Sequence, residues 1–349
     1  MNMQKINVND EILTKSGQLG KVISIDKKKH TADIKIIDYK DNQPISSVNM
    51  TVPLAECKVV KPVQATITET TTKEKMKTMN EMTQMASTDI TKVKEIAKIM
   101  VELIAKSSSG TAEFLSAFKD FKEKLTNAHE KESKVAIPKT TEDVLIAQVD
   151  ALTDTNYFVV GSFVELGKAP IGKKSFKKYK QVAEFHEVGG HPVAKQETKL
   201  DVKRLVDRSG YTLEELVEYV HAVSGNKKTF DKLVEELSDV MIKESQRVLP
   251  LVLREPTKKD IVVYQNLLLN EIHDLVLALF KDINMPSEVF FDIVHEANMT
   301  KFYKDENGNY YAKRRESDGK IMKSPDFVAP EPRIKAAIKE LLSEDKGEK

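Results

Sequence analysis

The chain changes its hydrophobic period once. Through the first sixty or so residues apolar and polar positions alternate, as in "EILTKSGQLGKVISIDKKKHTADIKIIDY" (11–39), the period of strands with one buried face. Turn chemistry at Ser16-Gly17 and Asp26-Lys27 separates these strands, and "NMTVPLAECKVVKP" (49–62) reads as a closing strand pair. So many short strands in so little sequence predict a small β-barrel over residues 1–62. The Thr-rich stretch "VQATITETTTKEKMKTMN" (63–80) keeps no period and predicts a linker over 63–87. From about residue 88 onward apolar positions recur every three and four, in "ITKVKEIAKIMVELIAK", "AEFLSAFKDFKEKL", "LEELVEYVHAV", "FDKLVEELSDVMIKES" and "SEVFFDIVHEANM". That spacing predicts amphipathic helices and a mainly α chain. Among them "AEFHEVGGHPVAK" (183–195) carries Gly189-Gly190 and Pro192, which force a turn between two helices.

The helical part repeats itself. "VELIAKSSSGTAEF" (101–114) aligns with "VEYVHAVSGNKKTF" (217–230) without a gap at an offset of 116. The same offset carries Leu152 to Leu268 and Pro170 to Pro286. A tandem duplication is expected, with a first repeat over 88–175, a second over 176–335 and a tail over 336–349.

Composition narrows the chemistry. Over 349 residues lysines and arginines nearly cancel the acids, for a formal net charge of +1, so no global field favours nucleic acid or an anionic membrane. Cys57 is the one cysteine, which excludes an internal disulfide framework and a multi-cysteine zinc site. No apolar stretch reaches the roughly 18 residues of a membrane span. The opening "MNMQKINVNDEI" lacks the order of a signal peptide, and a cytoplasmic protein is expected.

Within an otherwise apolar run, "VDALTDTNYFVVGSF" (149–163) places Asp150 and Asp154 four apart, on one helical face. A buried unpaired carboxylate is costly, so that face needs a cation, a metal or water. Glu215 and Glu218 in "LEELVEYVHA" share another face, read together with His221 and Ala222. The repeat exposes an asymmetry: Asp150 and Asp154 match Asn266 and Asn270, while Glu215 and Glu218 match Ile99 and Glu102. Each copy has kept one half of an acidic cluster, which points to one composite site. Four convergent carboxylates cannot all stay ionised unaided, and hard oxygen ligands suit Mg²⁺ or Mn²⁺, ions that also engage phosphate. The plainer alternative is that these are helix-surface acids matched by lysines. Glu236 and Asp239 in "EELSDVM" mimic the spacing, but the repeat sets them opposite an intervening helix. His186 and His191 lie in a turn without a third ligand, which favours hydrogen bonding over metal binding.

Taken in order, "EFHEVGGHPVAK", "LEELVEYVHAVS", "VFFDIVHEANMTKF" and "RRESDGKIMKSPDFVAPEP" are similar to motifs of the MazG-like and phosphoribosyl-ATP pyrophosphohydrolase-like all-α nucleotide pyrophosphohydrolases. The likeness is to the phage-type branch, some members of which carry a Cof-like phosphohydrolase label. "TTEDVLIAQVDALTDTNYFVVGSFVELGKAP" (140–170) resembles that family's aspartate helix. The resemblance covers roughly residues 90–335, and the N-terminal barrel resembles KOW-type barrels. It implies a MazG-like helical bundle, here a fused, degenerate pseudo-dimer, that splits a nucleoside triphosphate into monophosphate and pyrophosphate. Asp150, Asp154, Glu215 and Glu218 would be metal ligands, one of them the base that orients water. Asn298 and Lys301 would meet base, sugar or phosphate. Arg314, Arg315, Lys320 and Lys323, around a Gly turn, would form a basic lid on the polyphosphate; a solvated basic hairpin is the alternative.

Two departures stand against the family pattern. The intact aspartate helix precedes the intact glutamate helix, and Ala147 replaces an acid one turn before Asp150. Further expectations are a possible homodimer and a host-cytoplasm location if the chain is phage-encoded. The rival functions are a nucleotide-binding pseudo-enzyme and a scaffold whose N-terminal barrel binds nucleic acid or protein.

Overall fold

A computed structural model describes residues 11–14, 19–26, 31–40, 43–53, 57–61, 90–253, 258–316 and 321–344. The chain divides into two units, Met1–Lys75 and Met76–Lys349.

Among its described residues the first unit holds five strands: β1 (Glu11–Thr14), β2 (Leu19–Asp26), β3 (Thr31–Lys40), β4 (Gln43–Pro53) and β5 (Cys57–Lys61). They pair antiparallel in the order β4-β3-β2-β1-β5. The expected closing pair over 49–62 is therefore corrected: β4 pairs with β3, whereas β5 returns to β1, with Leu13 opposite Lys58. The turn at Ser16-Gly17, the residues following Asp26 and the linker over 63–87 lie outside the described residues.

The second unit is built on helices α1 (Thr91–Ser107), α2 (Thr111–Glu132), α3 (Thr141–Leu166), α4 (Lys173–Gly189), α5 (Val202–Ser224), α6 (Lys227–Val248), α7 (Lys258–Asp282), α8 (Ser287–Met299) and α9 (Glu331–Glu344). Local chemistry sets their limits. Thr140, Asp201 and Asn226 cap α3, α5 and α6 by accepting the N–H of Asp143, Arg204 and Thr229. Gly167 and Gly225 end α3 and α5 in the left-handed region, at φ 75° and 69°. Helix α9 runs into the expected tail 336–349 and buries Ile334 and Ile338. Residues 175 and 176, the expected repeat boundary, both lie inside α4.

Helix α3 is the central element, packed against α4, α5, α7, α8 and α9. Burial on several sides explains its long apolar run, since a helix covered all round has no polar face. Packing elsewhere follows the offset of 116, which carries Thr111 and Glu132, the ends of α2, onto Lys227 and Val248, the ends of α6. Helix α5 packs on α3 and α2, and α1 packs on the corresponding α7 and α6.

One buried ionic cluster pins α3 to α5. Glu165, 1% exposed at its side chain, receives two hydrogen bonds from Arg204, at 2.6 and 2.5 Å. Arg208 Nη1 lies 3.7 Å from the same carboxylate, while Arg208 also donates to the Phe158 carbonyl and to Ser162 Oγ. A Cβ on Gly161 would meet Arg208 Nη2 at 2.0 Å, so the absence of a side chain there lets the guanidinium lie on α3. Glu165→Gln leaves two guanidinium groups without their carboxylate and is expected to lower unfolding free energy by about 3 kcal/mol in urea denaturation. Lys92→Ala breaks only an exposed pair with Asp282 (2.6 Å) and should cost less than about 1 kcal/mol by the same measurement.

Candidate functional site

The contact of α3 with α5 brings the two predicted acid pairs into one electrostatic environment. Burial pushes the Asp150 carboxyl up to about 8, reinforced by the charges of Asp154, Glu331 and Glu218 and opposed by Lys301. Burial likewise raises Asp154, to about 6, again against Lys301. Glu215 is held well above the usual carboxylate range by burial, then by Asp154, Glu218 and Glu214, with Lys131 opposing. The acids from near 150 and near 215 therefore act on one another across the helix contact, and two lysines oppose their charge.

Glu218 has a partner of the plainer kind. Lys131, at the end of α2, donates to Glu218 Oε1 at 3.1 Å and to Glu214. Burial works against its charge, but these two carboxylates hold the ammonium above its ordinary pKa. The same pair recurs in the other half, where Arg247 Nη2 donates to Glu102 Oε2 at 3.0 Å; the offset of 116 carries Lys131 to Arg247 and Glu102 to Glu218. The rest of that second position is neutral. Ile99 is buried, and the Asn270 amide accepts from the Ile171 N–H (3.0 Å) and donates to the Asn266 carbonyl (2.7 Å).

His221 meets the same end of α2 as Glu218 does, with Nδ1 3.2 Å from Glu132 Oε1, beside Lys131. His186 Nδ1 donates within its own turn to the Pro192 carbonyl (2.9 Å), and its ring lies 5.2 Å from that of His191. Glu236 is ion-paired to Lys94 (2.6 Å), and Asp239 is exposed; both stand apart from the acids on α3.

Of the predicted substrate contacts, Lys301 and Asn298 meet each other and the acids. Lys301 Nζ donates to Asn298 Oδ1 at 2.5 Å, and the Asn298 amide hydrogen-bonds Tyr157. The Tyr157 hydroxyl lies 3.2 Å from His295 Nδ1. This chain of side chains sets the ammonium that acts on Asp150 and Asp154. The basic loop is dispersed: Arg314 donates to the Gly189 carbonyl at the end of α4, Lys323 stands 4.1 Å over the Phe327 ring, Arg315 is exposed in the loop, and Lys320 lies outside the described residues.

Sequence reasoning missed Lys131, Glu214 and Glu331. Glu214 adjoins the predicted pair, and Glu331 opens the amphipathic "EPRIKAAIKELL", a periodicity that could have marked α9. Lys131 had no local signal. A cavity of about 480 Å³ between α2 and α5, lined by Asp120, Glu123, Lys124 and Asp207 among others, includes none of the four predicted acids. Among the described residues no three His, Cys, Asp or Glu side chains are grouped to hold a metal ion, and no helix is long and apolar enough to cross a membrane.

No family model and no curated protein matches the chain. A solved structure from Exiguobacterium sp. 255-15, provisionally described as an NTP pyrophosphohydrolase, aligns at 28% identity over 51% of this chain and 99% of its own, with a TM-score of 0.45.

The electrostatics predict a pH slope. An acid raised on folding binds its proton more tightly in the folded state, so stability is highest below the ordinary carboxylate pKa and falls as pH rises to the folded value. For Asp150 that window runs from 3.8 to about 8. Asp150→Asn is expected to flatten the fall in melting temperature of metal-free protein across this window, and to melt higher than wild type at pH 8.

Proposed function

We propose that the helical unit is a divalent-metal-dependent nucleoside triphosphate pyrophosphohydrolase. It would cleave between the α and β phosphates, giving monophosphate and pyrophosphate, at one composite site drawn from two diverged repeats. The observation that supports this reading is the mutual electrostatic influence of Asp150, Asp154 and Glu215 on two packed helices, each acid raised by burial and by its neighbours. Such a set calls for added positive charge, and its donors are hard oxygens, as Mg²⁺ and Mn²⁺ prefer. Mg²⁺ is commonly held by one or two carboxylates with waters and substrate phosphate, so three grouped protein ligands are not required. The motif resemblance supplies the reaction class, and the exchange of helix partners under the offset of 116 supports the duplication.

Bound Mg²⁺ or Mn²⁺ would supply charge against triphosphate oxygens that the acids alone would repel. One or two of Asp150, Asp154, Glu215 and Glu218 would hold that ion, and another of them would accept the proton of the attacking water. Lys301 pairs with a phosphate oxygen, held in place by Asn298 and, behind it, Tyr157. Arg314, Arg315 and Lys323 would be the cations offered to the polyphosphate. A pseudo-enzyme that binds nucleotide without cleaving it is favoured by two observations, the engagement of Glu218 by Lys131 (3.1 Å) and the presence of Ala147.

Pyrophosphate release from a panel of NTPs and dNTPs with Mg²⁺ tests the proposal. Asp150→Asn and Glu215→Gln are each expected to lower kcat by about 10³ or more, while Glu102→Gln, in the second position, leaves turnover unchanged. Inertness toward every nucleotide with binding retained would establish the pseudo-enzyme, and loss of both would sink the site. Independently of turnover, Mg²⁺ is expected to raise the melting temperature of wild type at pH 8 and to leave Asp150→Asn unmoved.

A further inference from the structure

Between α8 and α9 the chain forms a two-stranded ribbon, β6 (Tyr303–Lys304) paired antiparallel with β7 (Tyr310–Tyr311), Tyr303 opposite Tyr311 and Lys304 opposite Tyr310. Its tip is internally fixed. Asp305 Oδ1 accepts the N–H groups of Asn307 (2.9 Å) and Asn309 (2.8 Å), and Gly308 sits at φ 82°, in the left-handed region. Its base is tied to the helical unit, since Tyr303 Oη donates to the Lys323 carbonyl (3.0 Å) and the Ser324 N–H to the Lys301 carbonyl (3.1 Å).

On this rigid ribbon aromatic rings face solvent. Tyr310 is 48% and Tyr311 39% exposed. The rings of Tyr303 and Tyr311 lie side by side, with centroids 5.8 Å apart and planes 34° apart. Lys313 Nζ lies 4.1 Å from the Tyr303 centroid and 6.0 Å from that of Tyr311, while Lys304 lies 5.0 Å from Tyr310. Exposed tyrosines contribute little to a core, and two side-by-side rings held with lysines match what an unpaired strand presents, a π-face on each base and a charge on each phosphate. Asp305 accepts the tip amides, and Lys304 and Lys313 are the cations beside the rings.

We infer that this ribbon is a docking platform for single-stranded nucleic acid, with bases stacking on Tyr303 and Tyr311 and phosphates pairing with Lys304 and Lys313. The base of the ribbon adjoins Lys301 and Lys323, and the inference does not depend on the hydrolase reading. Stacking is sequence-tolerant and shared by DNA and RNA, so one platform serves both.

The full chain, titrated with oligo-dT and oligo-rU of twenty nucleotides, tests this by fluorescence anisotropy of labelled strand and by tyrosine emission. The chain has nine tyrosines and no tryptophan, so quenching of tyrosine by stacked bases is directly visible. Wild type is expected to bind both strands and lose emission. Tyr303→Ala/Tyr311→Ala should weaken binding by about tenfold or more and abolish the quenching, with its salt slope kept. Lys304→Ala/Lys313→Ala should reduce the slope of log K against log salt by about 1.4. Asp150→Asn should bind as wild type does. Absence of salt-dependent binding by wild type overturns the inference. So does binding that both double variants retain in full, as would follow if another surface held the strand.

Discussion

Asp150, Asp154 and Glu215 lie where water is scarce and like charge is close, with Lys301 and Lys131 opposing. Carboxylates in that position disfavour their own ionisation and, with it, the folded state at neutral pH. Stabilising contacts elsewhere have to hold the two helices together against it. The buried Glu165 with Arg204 and Arg208 does so at the same interface, and the side-chain-free Gly161 lets the second guanidinium approach. Apolar packing of α3 against five other helices supplies the remainder.

Two cation–carboxylate pairs 116 positions apart, Lys131 with Glu218 and Arg247 with Glu102, sit in contrasting surroundings. The first lies among acids, whereas the positions 116 from Asp150, Asp154 and Glu215 are Asn266, Asn270 and Ile99, and the Asn270 amide closes on the backbone of Ile171 and Asn266. Amides can satisfy one another in a closed interface, whereas carboxylates repel and need a counter-ion.

A regular period was enough to place most helices. Each of α1, α2, α5, α6 and α8 contains an apolar stripe that the spacing of three and four marks directly, and the turn at Gly189-Gly190 ends α4 at the expected place. Helix α9 was not read from the sequence, although "EPRIKAAIKELL" carries a helical period. The β4 and β5 segments were paired with each other because they are neighbours in sequence, yet β5 reaches back to β1 through contacts that no local pattern encodes. At the site, the spacing of Asp150 with Asp154 and of Glu215 with Glu218 was legible, since residues three or four apart share a helical face. The roles of Lys131 and Glu331 were not, because each comes from a separate helix and meets the acids through packing alone.

By itself, then, the sequence determined the helical periods, the caps at Thr140, Asp201 and Asn226, and which helices carry paired acids, because all of these are fixed by neighbours within a turn or two. Tertiary structure decided which acids confront each other, which one a lysine claims, and that His221 meets Glu132. Those outcomes depend on the field of side chains far apart in the chain, and a field of that kind exists only once the helices have packed.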